Sequence, residues 1–392
     1  MGKVMLADGI YWVGAIDWNI RNFHGYSTHK GTTYNAYLIV DEKVTLIDTV
    51  KAPFYGEMVS RIEEIVPLDK IDYIIANHAE MDHSGSLPMI LRDAPNANLV
   101  TLQKFGEANL RKNLHLDCDI TPIKEGDELP LGKRTLTFVP TPMLHWPDSM
   151  VTYLPGDNIL FSNDAFGQHI ASSQRFDDEL GLDTIMPEAE KYYANILMLF
   201  GDLITRTVDK LSGIEIDMIA PSHGIIWRSH LEAIISAYAA WGRGDTSNKA
   251  VVIYDTMWGS TEKMARAIAE GLASEGVEVK LYSLTSTDRS DVIKEVLDAR
   301  ALLVGSPTLN NGMFPSVAGF LCYLKGLKPK NKIGTTFGSY GWAGGAAQLA
   351  RAELEQAGVE IIDSNLNFKF VPDKEELDEC VEFGKAIAGR IK

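Results

Sequence analysis

Two imidazoles and two carboxylates stand within six residues of one another in the segment Asn77-His78-Ala79-Glu80-Met81-Asp82-His83-Ser84-Gly85. Four potential metal ligands at near-alternating positions make poor structural filler. Burying such groups without partners costs several kcal/mol, so the cluster either faces water or holds a cation. The preceding run Ile71-Asp72-Tyr73-Ile74-Ile75-Ala76 is rich in β-branched residues and predicts a buried strand, which puts the cluster in the loop at its carboxyl end. That is where α/β folds usually place their chemistry.

Three further segments complete a ligand set. His145 lies in Pro142-Met143-Leu144-His145-Trp146-Pro147-Asp148, Asp164 in Phe161-Ser162-Asn163-Asp164-Ala165-Phe166-Gly167, and His223 in Ala220-Pro221-Ser222-His223-Gly224. Each follows a strand-like run or a proline turn. The order His-x-Glu-x-Asp-His, His, Asp, His resembles the metallo-β-lactamase superfamily, in which histidine normally stands at the position of Glu80 and the later aspartate bridges two metals. Imidazole suits zinc, whereas carboxylate and water suit harder ions. With Glu80, Asp82 and Asp164 all present, the set favours a redox-active iron pair over zinc.

The second half of the chain carries a different pattern. Lys249-Ala250-Val251-Val252-Ile253-Tyr254-Asp255 reads as a strand, Thr256-Met257-Trp258-Gly259-Ser260-Thr261 as a turn, and a helical pattern begins at Glu262. Backbone N–H groups and three hydroxyls at a helix start suit a phosphate, with the helix dipole assisting. The turn holds no lysine or arginine, and neither a Walker pattern nor a Gly-x-Gly-x-x-Gly turn occurs, so a monoester phosphate fits better than a triphosphate. Two further strand ends lead into Pro307-Thr308-Leu309-Asn310-Asn311 and Ser339-Tyr340-Gly341-Trp342-Ala343-Gly344. Three such loops in order resemble flavodoxin, whose strand order places FMN at the switch point of the sheet.

Taken together, the two halves are similar to flavodiiron proteins, the A-type flavoproteins that reduce oxygen or nitric oxide. The resemblance implies an N-terminal metallo-β-lactamase-like αββα sandwich, residues 1–248, and a C-terminal flavodoxin-like doubly wound parallel sheet, residues 249–392. It implies one iron on His78, Glu80 and His145, a second on Asp82, His83 and His223, and Asp164 bridging them; family members differ over whether the histidine at His83 binds iron. It implies FMN phosphate in the loop from Thr256 to Thr261 and the flavin ring between the loops at Pro307 to Asn311 and Ser339 to Gly344. His24 and Tyr193 match positions that the family places near the di-iron pocket, and His29 and His169 are further candidates for groups that support metal ligands. The implied activity is reduction of dioxygen to water or of nitric oxide to nitrous oxide, with electrons entering through FMN from a separate rubredoxin or a reduced deazaflavin coenzyme. The implied assembly is a head-to-tail homodimer or a pair of such dimers. The competing readings are a di-zinc hydrolase fused to a flavodoxin domain, against which Glu80 counts, and a non-catalytic electron carrier, against which the gapless ligand set counts.

The elements that must position these residues are legible. Strand-like runs group around Tyr34 to Asp48, Thr135 to Thr141 and Met150 to Phe161, mixed with helical patterns at Phe54 to Val66 and Glu188 to Leu211. A helix over Leu231 to Trp241 gives way to a polar linker, Gly242 to Asn248, after which strand and helix alternate five times. The 392 residues allow two or three domains, and a hydrophobic share of 45% is ample for their cores. A net charge of −16 argues against a nucleic-acid partner. No run approaches a transmembrane span, and the N-terminus lacks the apolar length of a signal peptide. Cys118, Cys322 and Cys380 are widely spaced and odd in number, as expected of a reducing cytoplasm; without Cys-x-x-Cys, no rubredoxin module is fused here.

Overall fold

The computed structural model describes residues 2–391. It forms two compact units, residues 1–192 with 202–239 and residues 193–201 with 240–392.

In the first unit a seven-stranded and a five-stranded sheet face each other. The larger runs Val4–Ala7, Ile10–Trp12, Tyr37–Ile39, Val44–Ile47, Ile71–Ala76, Asn98–Leu102, Ile120–Ile123 across its width. The smaller runs Glu128–Pro130, Thr135–Pro140, Met150–Leu154, Ile159–Asn163, Met218–Pro221. Side chains alternate across a strand, so each sheet sends one set inward. Ile47, Ile75 and Val100 of one sheet meet Phe138, Leu154 and Phe161 of the other in a single buried cluster. The outer face of the larger sheet, through Leu46, Ile74 and Leu99, packs on the helices Tyr55–Glu63, Leu87–Asp93 and Phe105–Leu114. This is the expected αββα layering.

The second unit is a six-stranded, wholly parallel sheet. Its strands Glu278–Ser283, Ser247–Tyr254, Ala299–Gly305, Ile333–Tyr340 and Glu360–Ile361 lie side by side, which is the 2-1-3-4-5 order of flavodoxin-like folds. Strands buried on both faces read as continuous apolar runs, as Ala250 to Ile253 and Ala301 to Val304 do. The fifth strand is split: Asn367–Lys369 pairs with the far end of Ile333–Tyr340.

The helical pattern from Glu188 to Leu211 holds along its length, but not as one regular helix. An α-helix ends at Tyr192, Tyr193–Leu197 winds as a π-helix, Met198–Phe200 as a 3-10 turn, and a new α-helix starts at Gly201. The interruption covers the residues that belong to the second unit. There Asn195 Nδ2 donates to the Ser290 carbonyl at 3.1 Å and Asn195 Oδ1 accepts from the Tyr323 hydroxyl at 2.9 Å. Periodicity reports that a face is apolar, not which core claims it.

Lys332, just before the strand Ile333–Tyr340, is 2% exposed and donates to the Leu297 carbonyl at 2.9 Å. Burial lowers its pKa to about 7, so from there to the ordinary lysine range the folded chain binds fewer protons than the unfolded chain. Stability of this unit therefore rises with pH across that window. Lys332→Met should remove this slope: its stability relative to the parent should fall by roughly 3 kcal/mol between about pH 7 and pH 10. Urea unfolding of both proteins at a series of pH values checks this, and parallel curves would refute it.

Candidate metal centre and flavin cavity

The first polar cluster sits where strand and loop chemistry place it. Strand Ile71–Ala76 ends, Asn77 to Glu80 form a short connection, and a single helical turn, Met81–Ser84, follows. Ser84 Oγ donates to the carbonyls of Ala79 and Glu80 at 2.9 Å each, which closes the turn. The His83 carbonyl accepts from the Thr49 N–H and hydroxyl at 2.9 and 2.6 Å. Beneath it, the buried Asp48 takes the Asn77 backbone N–H at 2.8 Å and its side-chain amide at 2.9 Å. His145, Asp164 and His223 arrive from loops at the same end of the two sheets. Asp48, Met143 and Asn163, each beside one of these loops, hold left-handed backbone, a conformation that costs about 1 kcal/mol or more and persists where surroundings impose it. Gly224, after His223, also has φ +79, and a Cβ there would lie 1.9 Å from Gln168 Oε1. No other residue fits.

The seven expected ligands converge into two groups that share Asp164. Around one of its oxygens, His78 Nε2 lies 3.8 Å and His145 Nε2 3.6 Å from Asp164 Oδ2, and both imidazoles approach Glu80 Oε2, at 3.3 and 3.2 Å. Around the other, His83 Nε2 lies 3.3 Å and His223 Nε2 3.6 Å from Asp164 Oδ1, and the same imidazoles approach Asp82 Oδ2, at 3.5 and 3.1 Å. His78, Glu80 and His145 thus offer one set of ligand atoms, and Asp82, His83 and His223 a second.

The groups behind the ligands fix their donor state. His223 Nδ1 contacts the Thr33 carbonyl at 2.7 Å; a carbonyl only accepts, so Nδ1 carries the proton and the Nε2 lone pair faces the cluster. His78 Nδ1 contacts Asp148 Oδ2 at 2.9 Å, and Asp148 is itself held by the Ala79 N–H and the Asn109 amide at 2.7 and 2.8 Å. The Tyr192 hydroxyl donates to Asp164 Oδ1 at 2.8 Å.

Burial alone would raise the pKa of Glu80, but hydrogen bonds from His145 and His78 outweigh it and bring the carboxyl down to about 2. Burial likewise opposes charge on His78, yet Asp148 and Glu80 carry it up to about 9. Asp164, also buried, is held well below the carboxylate range by the charges of its histidines. Asp82 Oδ1, His83 Nε2 and Asp164 Oδ2 are buried without a hydrogen-bond partner. Among the described residues no lysine or arginine pairs with these carboxylates. A pair of cations would satisfy every one of these atoms at once.

Of the supporting histidines, His24 Nδ1 lies 3.2 Å from Glu80 Oε1. His169 is buried, with Nδ1 2.7 Å from the Thr32 hydroxyl and its ring 5.0 Å from that of His223. The His29 ring meets the Ser27 hydroxyl at 3.2 Å. The tyrosine expectation needs correction by one residue. Tyr193 enters the π-helix and packs its ring, tilted, 5.0 Å from that of Trp241 in the second unit, while Tyr192, on the last turn of the α-helix, reaches the centre. Asp148, Thr33 and Asp48 are further supporting residues that the sequence alone did not single out. Asp148 follows His145 by three residues, but the imidazole it holds is that of His78, 70 residues earlier, so no local pattern marks the pairing. The mouth of the centre is a cavity of about 430 Å³ bordered by Phe23, His24, Lys51, Met81 and Trp146.

The flavin candidates line a separate cavity of about 710 Å³ in the second unit, within the range of cofactor sites. Thr256, Met257, Trp258 and Ser260 come from the first loop; Pro307, Thr308, Leu309, Asn310 and Asn311 from the second; Ser339, Tyr340, Gly341, Trp342 and Ala343 from the third. Gly259, Thr261 and Gly344 lie behind the lining. Gly259 takes φ +82 before the helix Ser260–Ser274, and its N–H is accepted by Thr256 Oγ1 at 3.0 Å. The buried Thr261 hydroxyl meets Ser339 Oγ at 3.1 Å and so ties the first loop to the third. Phe370 and Val371 also line the cavity; they follow the split fifth strand, a fourth strand end that no sequence motif marked. The lining contains no charged side chain, and Trp258 and Trp342 flank it 87% and 92% exposed. Hydroxyls, a helix N-terminus and two indoles fit a phosphate joined to a flat aromatic ring.

Known proteins share both halves. Residues 32–224 match the model of the ODP family beta lactamases, and residues 252–384 that of flavodoxin. The chain is 52% identical over 393 aligned residues to the nitric oxide reductase of Moorella thermoacetica, covering 99% of this chain and 98% of that protein. The structure of rubredoxin oxygen:oxidoreductase from Desulfovibrio gigas superposes with a TM-score of 0.97 at 40% identity, covering 99% of this chain and 98% of that one. The flavodiiron protein from Giardia intestinalis superposes with a TM-score of 0.98 at 39% identity, covering 100% and 97%. This chain belongs to the flavodiiron proteins.

If Asp148 orients His78, Asp148→Ala should lower metal affinity 10- to 100-fold while the fold persists. Metal content after dialysis against a graded chelator measures this, and an unchanged content at every chelator level would show that His78 needs no such support.

Proposed function

We propose that this chain reduces dioxygen to water, nitric oxide to nitrous oxide, or both, at two iron ions in its first unit, with electrons delivered through FMN in its second. The observation that carries the reading is the arrangement around Asp164, whose two oxygens face two separate imidazole–carboxylate groups. His78, Glu80 and His145 would hold one ion and Asp82, His83 and His223 the other, with Asp164 shared between the two sets. FMN sits among the loops 256–261, 307–311 and 339–344. When bound, the metals and flavin supply the electron-transfer chemistry.

The residues of the chain do the rest. His78 and His223 are locked with their Nε2 atoms toward the centre. Three carboxylates offset part of the charge of two cations, and Tyr192 orients the carboxylate shared between them. Phe23 and Trp146 add apolar surface to the mouth of the centre. The two enzyme names among the relatives, a nitric oxide reductase and an oxygen oxidoreductase, support the same reaction class. A di-zinc hydrolase is disfavoured by Glu80, which sits at 3.2 to 3.3 Å from two imidazoles where zinc enzymes of this superfamily have a third. The electron donor is a rubredoxin or a reduced deazaflavin coenzyme. No described helix is long and apolar enough to cross a membrane; together with three cysteines outside any disulfide, this supports a cytoplasmic site of action.

Function requires flavin and irons to come close, and a head-to-tail homodimer achieves it by facing each flavin with the irons of the partner subunit. The exposed indoles at the flavin cavity support such a contact, because large apolar groups held in water mark interaction surfaces.

Anaerobically reduced protein should contain two irons and consume oxygen or nitric oxide with at least one of the two donors; protein with two zincs and no consumption would overturn the reading. Glu80→His should shift metal preference toward zinc and cut turnover at least 100-fold while FMN stays bound. Mixing that variant with one unable to bind FMN should restore activity in the heterodimers that contain one intact flavin–iron pair. Full turnover per flavin in a dilute monomer would refute the dimeric arrangement.

A further inference from the structure

Asp255 ends the strand Ser247–Tyr254, one residue before the phosphate loop, and is 2% exposed. Its Oδ1 accepts the Thr256 backbone N–H and the Thr285 hydroxyl, both at 2.8 Å, and its Oδ2 accepts the Ser316 hydroxyl. These donors belong to three different segments. Thr256 opens the phosphate loop, Thr285 follows the strand Glu278–Ser283, and Ser316 is the second residue of the helix Pro315–Leu327. The last of these ends the loop whose residues 307–311 line the flavin cavity. Among the described residues no lysine or arginine pairs with Asp255. The ionised carboxyl only accepts, which matches its three donors, and the N-terminal end of the Pro315–Leu327 helix adds a favourable field. An aspartate is common in a turn, but a turn alone does not need hydrogen bonds to three separate segments.

We infer that Asp255 is a positioning residue for the flavin loops and a fixed negative charge that holds the flavin at a lower reduction potential. The inference rests on the flavin reading of this cavity. By joining the start of the phosphate loop to the end of the 307–311 loop, the carboxylate sets the distance between the two walls that grip the cofactor. Its charge acts separately. Two-electron reduction of a flavin near neutral pH takes up two electrons and one proton, so the reduced ring carries one more negative charge than the oxidised ring. A like charge below the cavity opposes that step, and charge near the ring is one of the means by which proteins tune flavins. A charge about 10 Å from a flavin, at an effective dielectric of about 20, would change such an equilibrium roughly tenfold.

Two variants of the full-length protein separate the roles. Asp255→Asn keeps the shape and two of the accepted hydrogen bonds but removes the charge. Its FMN affinity should stay within about threefold of the parent, while anaerobic spectroelectrochemical titration should show the ratio of reduced to oxidised flavin raised about tenfold at a given potential, about 30 mV for a two-electron couple. Asp255→Ala removes the tie as well, and FMN binding followed by flavin fluorescence should weaken at least tenfold. Ser316→Ala, which keeps the charge and drops one donor, should not raise the potential. An unchanged potential in Asp255→Asn, parent-like FMN affinity in Asp255→Ala, or a rise in Ser316→Ala equal to that of Asp255→Asn would each overturn the inference. A parent protein that binds no FMN would sink the flavin reading itself, which is a different result from a flavin that ignores these substitutions.

Discussion

The constraint on which the first unit depends is the charge gathered around Asp164. Glu80, Asp82 and Asp164 meet four imidazoles in a place water scarcely reaches, and several of their polar atoms find no partner in the protein. Removing such groups from water is expensive unless something repays it. Two cations do so, and the surrounding structure is arranged to wait for them. The Thr33 carbonyl and Asp148 set the imidazole protons, the Tyr192 hydroxyl holds the shared carboxylate, and strained backbone at Asp48, Met143 and Asn163 aims the loops. The sandwich is the frame that lets four loops reach one point.

The second unit meets the opposite problem. Its cofactor carries its own negative charge, yet the cavity offers no lysine or arginine. Neutral donors do the holding, helped by the field of the helix Ser260–Ser274. Charge is therefore concentrated where metals need it and withheld where the ring must change its electron count, apart from the single buried carboxylate of Asp255.

Much of this was legible in the sequence because both sites use strand ends. Apolar, β-branched runs leading into His78, Asp164, Thr256 and Pro307 announced where the chain would turn and what it would present. The ligand set was readable for the same reason: four metal-ligand residues within six positions rarely serve anything but a cation. What escaped was set by long-range contact. Asp148 finds His78 across 70 residues and Tyr192 finds Asp164 across 28, and neither pairing has a local pattern. The apolar stripe from Glu188 to Leu211 had the right residues for a helix, but a stripe cannot say that its middle is drawn into a second core. Tyr193 and Tyr192 are neighbours that a helix turns about 100° apart, and only the phase of the final turn decides which of them faces the centre.

That interrupted helix bears on how such a two-part chain arises and how it can be taken apart. Residues 193–201 leave the first unit in mid-sequence, complete the surface of the second, and return. The two modules are therefore not beads on a string that a cut at Gly242 to Asn248 would release. A flavodoxin-like fragment beginning at the linker would lack nine residues of its own body, with Ser290 and Tyr323 left facing water. A second module meant to keep its whole body would have to carry this crossing segment with it.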